Sequence, residues 1–454
     1  MMFGGAGRGS GRSAAVRAGW EGTERARRAE GAVWVLPAVL AAWIPACAEG
    51  GDSYDTSGDR SDVAHDDGGG DGPIDGESGE VRPDGDIDDG GESGDGGGLV
   101  TVVPRPLGIS ANTQDLVVDA EDRVSIIWTD GRTLWAGRLV DGEVTGQVEV
   151  SAPELSTRAA RPLAAVRPDG SALYVVWVGP VATDAERVHL AESDAAGVWR
   201  EETVLSQPGF FFAEPAVGAG GDGSIHVVAQ RWAPGAASEP TVYLWRRPGG
   251  GWSEPVLLSP VDGPHRDITA FTDPEGGVHV GYAGINVAYY RHAPSGSLLS
   301  EVPQLETPHR DGVVGNYFGD LFVEPGGRAH RSMATWTRDS QVTVDHSVRP
   351  PGGAWELPTV ASGGPIDTTG EARSAVGAAR DETVFVLWSE MPAGANRCRL
   401  AVRRDGDWVP QTIDDEAGFN AQRKPSIAVT ADAVVAVWRH GDGQLWIADL
   451  WRRP

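Results

Sequence analysis

A phrase of short strands and tight turns recurs seven times between Leu99 and Pro454, and this repetition constrains the fold more than any other feature of the chain. Its plainest copy runs strand Glu214–Ala219, turn Gly-Asp-Gly, strand Ile225–Ala229, strand Thr241–Arg247, then a Gly-Gly-Gly-Trp turn opening a further strand. The second strands align best: Val124-Ser-Ile-Ile-Trp128, Leu173-Tyr-Val-Val-Trp177, Val278-His-Val-Gly-Tyr282, Val384-Phe-Val-Leu-Trp388 and Val434-Val-Ala-Val-Trp438. These are nearly continuous apolar runs, as expected of strands covered on both faces. Gly/Pro/Asp turns separate them, and helix-like periodicity is scarce, so the chain is expected to be all-β.

A period of about 45–55 residues with four strands per unit is the pattern of a β-propeller. Seven units are present, and the last lacks its fourth strand. The orphan segment Leu99–Leu107 precedes the first unit. Pairing it with Leu445–Asp449 would complete the seventh blade and close the ring, which removes two open sheet edges. The expected fold is a seven-bladed propeller of four-stranded antiparallel blades over residues 99–454, closed by an N-terminal strand.

The residues ahead of the repeats have another character. Residues 1–47 hold an arginine-bearing stretch, an apolar run from Ala32 to Ala46, and Cys47. A basic region followed by a short apolar run is an export signal, and the run is shorter than the roughly 20 residues of a membrane-spanning helix. Ile44-Pro45-Ala46-Cys47 resembles the lipobox of bacterial lipoproteins, which implies lipidation of Cys47. Residues 48–98 are mostly Gly, Asp, Ser and Glu. Between Glu49 and Asp95, 17 acids face two cations, so this segment holds −15 of the chain's −27 net charge. With almost nothing apolar to bury, it is expected to be a disordered, extended tether. Such acidity argues against nucleic acid as a partner. The other cysteine, Cys398, has no nearby partner, so no disulfide framework is expected.

The phrase "apolar strand, Asp-Gly turn, Val-His-Val-Val-Trp, then Gly-Gly-Trp-Ser-x-Pro" resembles the sialidase-like (BNR/Asp-box) propellers of secreted bacterial proteins. The turn Ser193-Asp-Ala-Ala-Gly197-Val-Trp199 comes nearest to the Asp-box of that family. The resemblance covers residues 99–454 and implies the architecture. The family's enzymes have six blades, an arginine triad and a tyrosine nucleophile; the seven units here depart from that.

The residues just before each first strand are expected to surround one mouth of the central channel: Gln114-Asp115, Arg161, Glu214, Arg266-Asp267, Asp320, Arg373 and Lys424, the last being the only lysine. Guanidinium forks grip carboxylates in a bidentate way, and paired carboxylates hydrolyse glycosides. The opposing reading is that these charges pair with one another and hold the ring. Trp128, Trp177, Trp388 and Trp438 leave the second strands on the same side, where they either stack sugar rings or pack between blades. His226, His279 and His330 share one position in successive units and are expected to be structural. No zinc-ligand spacing and no Gly-rich phosphate loop are present, so no metal and no cofactor are expected. The leading function is binding of a carbohydrate or protein ligand on this face by a monomeric, lipid-anchored bacterial envelope protein. A glycoside hydrolase or polysaccharide-active enzyme is the alternative, and an interaction module without a small ligand is a third.

Overall fold

The computed structural model describes residues 98–99, 101–151, 162–179, 187–194, 196–233, 240–259, 266–284, 287–366, 372–390, 396–416 and 424–453. The expected signal segment, tether and Cys47 therefore lie outside the described residues, Gly98 excepted. The described chain forms seven antiparallel sheets, six built wholly from consecutive strands and the seventh from the last three strands with N-terminal pieces added. Blades 1 to 7 span residues 113–151, 163–205, 211–257, 266–307, 313–360, 373–414 and 426–452. Among the described residues there is no helix.

Closure is made as the orphan segment suggests, in two pieces. Gly98–Leu99 and Arg105–Ser110 both pair with Gln444–Arg452, the last strand of blade 7. Pro104 lies between the pieces and has no N–H to give a ladder. The pairing runs to Ser110, three residues beyond the expected end.

The core sits between blades. The second strands are buried almost end to end, as in Val124–Thr129 and Val278–Ala283. An apolar cluster bridges each neighbouring pair of blades, including blade 7 to blade 1 through Ala428, Val437, Leu116 and Ile126. Burial of one such side chain contributes about 1.5–3 kcal/mol, so the ring is held mainly by its seams. First strands crowd towards the axis, where small residues are needed: a Cβ on Gly377 would stand 2.7 Å from Ile427 of the next blade. The Asp194 turn is tightened by its own carboxylate, which accepts the N–H groups of Ala196 and Val198, both at 3.0 Å.

Candidate functional site at the channel mouth

The fourth residue from the end of each first strand occupies an equivalent place in its blade. In chain order these are Asp115, Leu163, Ala216, Thr269, Asp320, Ala375 and Ser426. Five of them, Asp115, Leu163, Thr269, Asp320 and Ser426, line a channel cavity of about 110 Å³. A smaller space of about 50 Å³ opens beside it at the strand starts, among Glu214, Asp267, Arg373 and Lys424.

Blades 3, 4 and 5 shape this mouth by irregularity. The pairing of their first strands slips between Ala213 and Ala216, Arg266 and Thr269, and Phe318 and Asp320. A bulge adds a residue and re-aims its side chain. Glu214 and Asp267 occupy those bulges with φ of 48° and 55°. For a residue with a Cβ, that left-handed conformation costs about 1–2 kcal/mol. Such strain persists only where the surroundings over-determine it.

Ion pairs supply that constraint. Arg373 of blade 6 is ion-paired with Asp267 and lies 3.8 Å from Glu214 Oε1. Glu214 also accepts the backbone N–H of Asp267, which joins the two bulges. Arg373 and Asp267 are each only 5% exposed. Lys424 of blade 7 is ion-paired with Asp320 of blade 5, across the channel. Asp320 further accepts from Thr269 Oγ1 at 3.4 Å and from the N–H of Val376 at 3.3 Å. The opposing reading of the sequence, that mouth cations meet mouth acids, thus holds for Arg373 and Lys424.

Asp115 differs from the other acids. It is half-buried, and its oxygens accept the N–H groups of Ala164, at 2.9 Å, and Leu116, at 3.0 Å. Burial raises its pKa to about 7, against the opposing pull of Lys424. Its neighbour Gln114 donates to Lys424 O at 3.0 Å, while its buried Oε1 accepts no hydrogen bond from the described residues. At neutral pH the mouth therefore holds a carboxyl that carries a proton much of the time.

Other expected site residues fall elsewhere. Arg161 lies outside the described residues. Arg266 opens a first strand and its backbone pairs with Ala283, while its side chain lies outside the described set. Of the two readings of the tryptophans, packing between blades holds and the sugar-stacking platform does not: Trp128, Trp177, Trp388 and Trp438 are 0–2% exposed and fill the seams. No ring face among them is open to a sugar. Their second strands are covered on both sides, so a large aromatic there becomes core. Trp438 uses its indole N–H on Asp414 at 2.7 Å. Cys398 is also buried, and burial pushes its thiol pKa well up, away from nucleophilic chemistry.

His226, His279 and His330 each bond within their own blade. His226 meets Ser224 and Tyr243, both at 2.8 Å; His279 meets Asp273 at 2.8 Å and Tyr290 at 2.6 Å; His330 meets Glu324 at 2.6 Å and His346 at 3.1 Å. The expected absence of metal-ligand groupings needs revision, because Asp273, His279 and His292 bring three donor atoms within 4.8 Å of one another. No linear motif announces this trio. Its signal is that His279 and His292 are directly opposed on neighbouring strands, and register is not written in spacing alone.

No family model matches the chain, and no curated protein matches it. Solved structures do align with it. One is an ulvan lyase of a new polysaccharide lyase family: TM-score 0.49, 11% identity, 77% of this chain and 96% of that one. Another is AofleA from Arthrobotrys oligospora: TM-score 0.44, 12% identity, 69% and 89% covered. A third is a Hadza microbial sialidase: TM-score 0.42, 15% identity, 72% and 75% covered. These are likenesses to other proteins at low identity; the fold itself is established by six four-stranded sheets and a seventh that the N-terminal strand pieces complete.

Proposed function

We propose that this protein is a binding module that takes a carbohydrate or protein ligand on the face where the seven first strands begin. The observation that supports it is the convergence of Asp115, Glu214, Asp267, Asp320, Arg373 and Lys424 on one mouth, with two of the acids held in costly backbone conformations. Packing does not demand this, since blade 2 places Pro162 and Leu163 at the same mouth. The cavity is far smaller than the 300–1,000 Å³ of sites that engulf a small molecule. A ligand would therefore lie across the mouth and offer hydroxyls or amides to its carboxyl groups. Arg373 and Lys424 are engaged with carboxylates, which favours a neutral partner over an acidic one. Carriage on the outside of a bacterial cell, through a lipid on Cys47 and the acidic tether, belongs to the same reading.

The test is a glycan array and a protein pull-down with the wild type and with Asp115→Asn. Specific binding that falls at least tenfold in the variant, with a melting temperature no lower than that of the wild type, is expected. Equal binding by both proteins, or none by the wild type, would overturn the mouth as the site. Cys47→Ser is expected to move the protein from the membrane to the soluble fraction; retention in the membrane would refute the anchor.

A second reading has one observation in its favour. Asp115 is proton-bearing near neutral pH, and Asp320 is ion-paired with Lys424 in the same channel. Two carboxyls in unlike environments are the requirement for acid and base roles in glycoside hydrolysis. A hydrolysis screen separates the readings: turnover abolished by Asp115→Asn with binding retained would establish the enzyme.

A further inference from the structure

At the other end of the channel the first-strand turns carry a different chemistry. In blade 4 the turn starts at Asp273, whose Oδ1 accepts the N–H of Gly277 at 2.6 Å. Its Oδ2 is left facing two imidazoles: His279 Nε2 at 2.8 Å and His292 Nε2 at 3.7 Å. The two rings stack with centroids 4.1 Å apart and planes 7° apart. His279 and His292 are cross-strand partners, so sheet register itself holds them together.

Neighbouring blades show that this is more than the ordinary histidine of the repeat. Opposite His226 in blade 3 stands Trp245, and opposite His330 in blade 5 stands Val348. Only blade 4 of these three places a second imidazole on the turn carboxylate. The turn also leaves room for it. A Cβ on Gly277 would lie 2.6 Å from Asp273 Oδ2 and 2.7 Å from His292 Nε2, so any larger residue would fill the space the donors share.

We propose that Asp273, His279 and His292 bind a zinc ion that clamps this turn to the second and third strands of blade 4. One carboxylate oxygen and two imidazole nitrogens suit a borderline cation, with water completing a tetrahedron. Calcium or magnesium would call for a mainly oxygen shell. With zinc–ligand bonds of about 2.0–2.1 Å, tetrahedral ligand atoms stand about 3.3 Å apart. The observed 2.8 and 3.7 Å bracket that value. The Nδ1 of His279 is held by the Tyr290 hydroxyl at 2.6 Å, the kind of outer partner that orients a ligating imidazole. His292 is 32% exposed, so its ring has room to turn its lone pair onto the ion. Two other charges act here: Arg349, which lies over the Tyr290 ring, opposes a cation, and Glu275 favours one.

The experiment uses the full chain stripped with chelator and dialysed against micromolar zinc chloride. Elemental analysis should find one zinc per chain, and the melting temperature should rise with zinc. His292→Phe keeps the ring stack and removes one ligand. It should melt like the stripped wild type, bind zinc at least tenfold more weakly, and show no rise on zinc addition. Gly277→Ala should likewise lower zinc occupancy. A wild type that retains no zinc overturns the site, and so does zinc retained equally by His292→Phe.

Discussion

Blades 3–5 and blades 1, 2 and 6 have the same strand order but divide their regularity differently. In blades 1, 2 and 6 the outer strands are long: Glu143–Ser151, Trp199–Leu205 and Asp407–Asp414. Their first strands pair without slippage. In blades 3–5 the outer strands shrink to Val256–Leu257, Leu305–Thr307 and Thr359–Val360, while the first strands bulge. Side chains replace the missing ladder. Arg291 donates to the carbonyls of Leu258 and Val302, both at 2.6 Å, and of Leu299 at 3.1 Å. Buried backbone acceptors must be satisfied somehow, and here an arginine does it. The same three blades hold the strained acids of the mouth, the three histidine relays and the Asp273 trio. One half of the ring is scaffold; the other has exchanged sheet regularity for buried polar chemistry.

Breaking the cross-channel link should have the largest effect. Arg373→Leu leaves Asp267 and Glu214 without their buried cation, and loss of one partner of a buried pair costs about 3–5 kcal/mol. Arg123→Leu, in the regular blade 1, removes a half-exposed partner of Asp119 and should cost far less, since Asp119 keeps Arg138 at 3.3 Å and the backbone N–H groups of Glu121 and Arg123. Denaturant unfolding of the two variants measures the contrast; equal losses would erase it.

Acid should separate the two halves next. Burial lowers the pKa of His226, His292 and His309 to about 4, and also lowers those of His279 and His346. All five lie in blades 3–5 or in the link between blades 4 and 5, against one such imidazole, His189 of blade 2, in the regular half. Between about pH 6.5 and 4 the unfolded chain binds more protons at these sites, so stability falls as pH falls. Hydrogen exchange at pH 4–5 should open residues 211–360 before blades 1 and 6. Uniform loss of protection would count against the division.

Arg291→Met should follow, at about 1–3 kcal/mol for carbonyls left unsatisfied, with faster exchange confined to the outer part of blade 4. A global loss would mean that Arg291 supports more than its own blade.

Asp115→Asn should have the smallest effect, and its sign is the point. The folded pKa of Asp115 is raised to about 7, so ionisation opposes folding progressively from about pH 4 and fully above 7. The amide removes that cost. The variant should melt higher than wild type at pH 8 and no higher at pH 5; a gain independent of pH would remove the titration argument.

The comparison also marks where reading residues succeeds. The regular blades were almost wholly legible, because turn chemistry and apolar runs are local and each strand lies beside its sequence neighbour. The histidine position shared by His226, His279 and His330 was legible for the same reason. The tryptophans were legible only as a choice between packing and a sugar platform: Trp177 and Trp388 at strand exits look alike either way, and the neighbouring blade decides for packing.

The number of blades, their order and the closing role of the segment after Gly98 follow from the sequence by itself, since they depend on period, turn residues and one unpaired strand. Convergence of charges at a mouth follows too, because a closed ring points equivalent positions inward. Which charges meet was decided by tertiary structure. Arg373 reaches Asp267 and Lys424 reaches Asp320 across a channel whose width depends on how seven seams pack. The proton affinity of Asp115 was decided there as well, because desolvation is a property of the surroundings. So was the meeting of Asp273, His279 and His292: it needs a turn, a register and a missing side chain at Gly277 to coincide in space, and no single stretch of sequence contains all three.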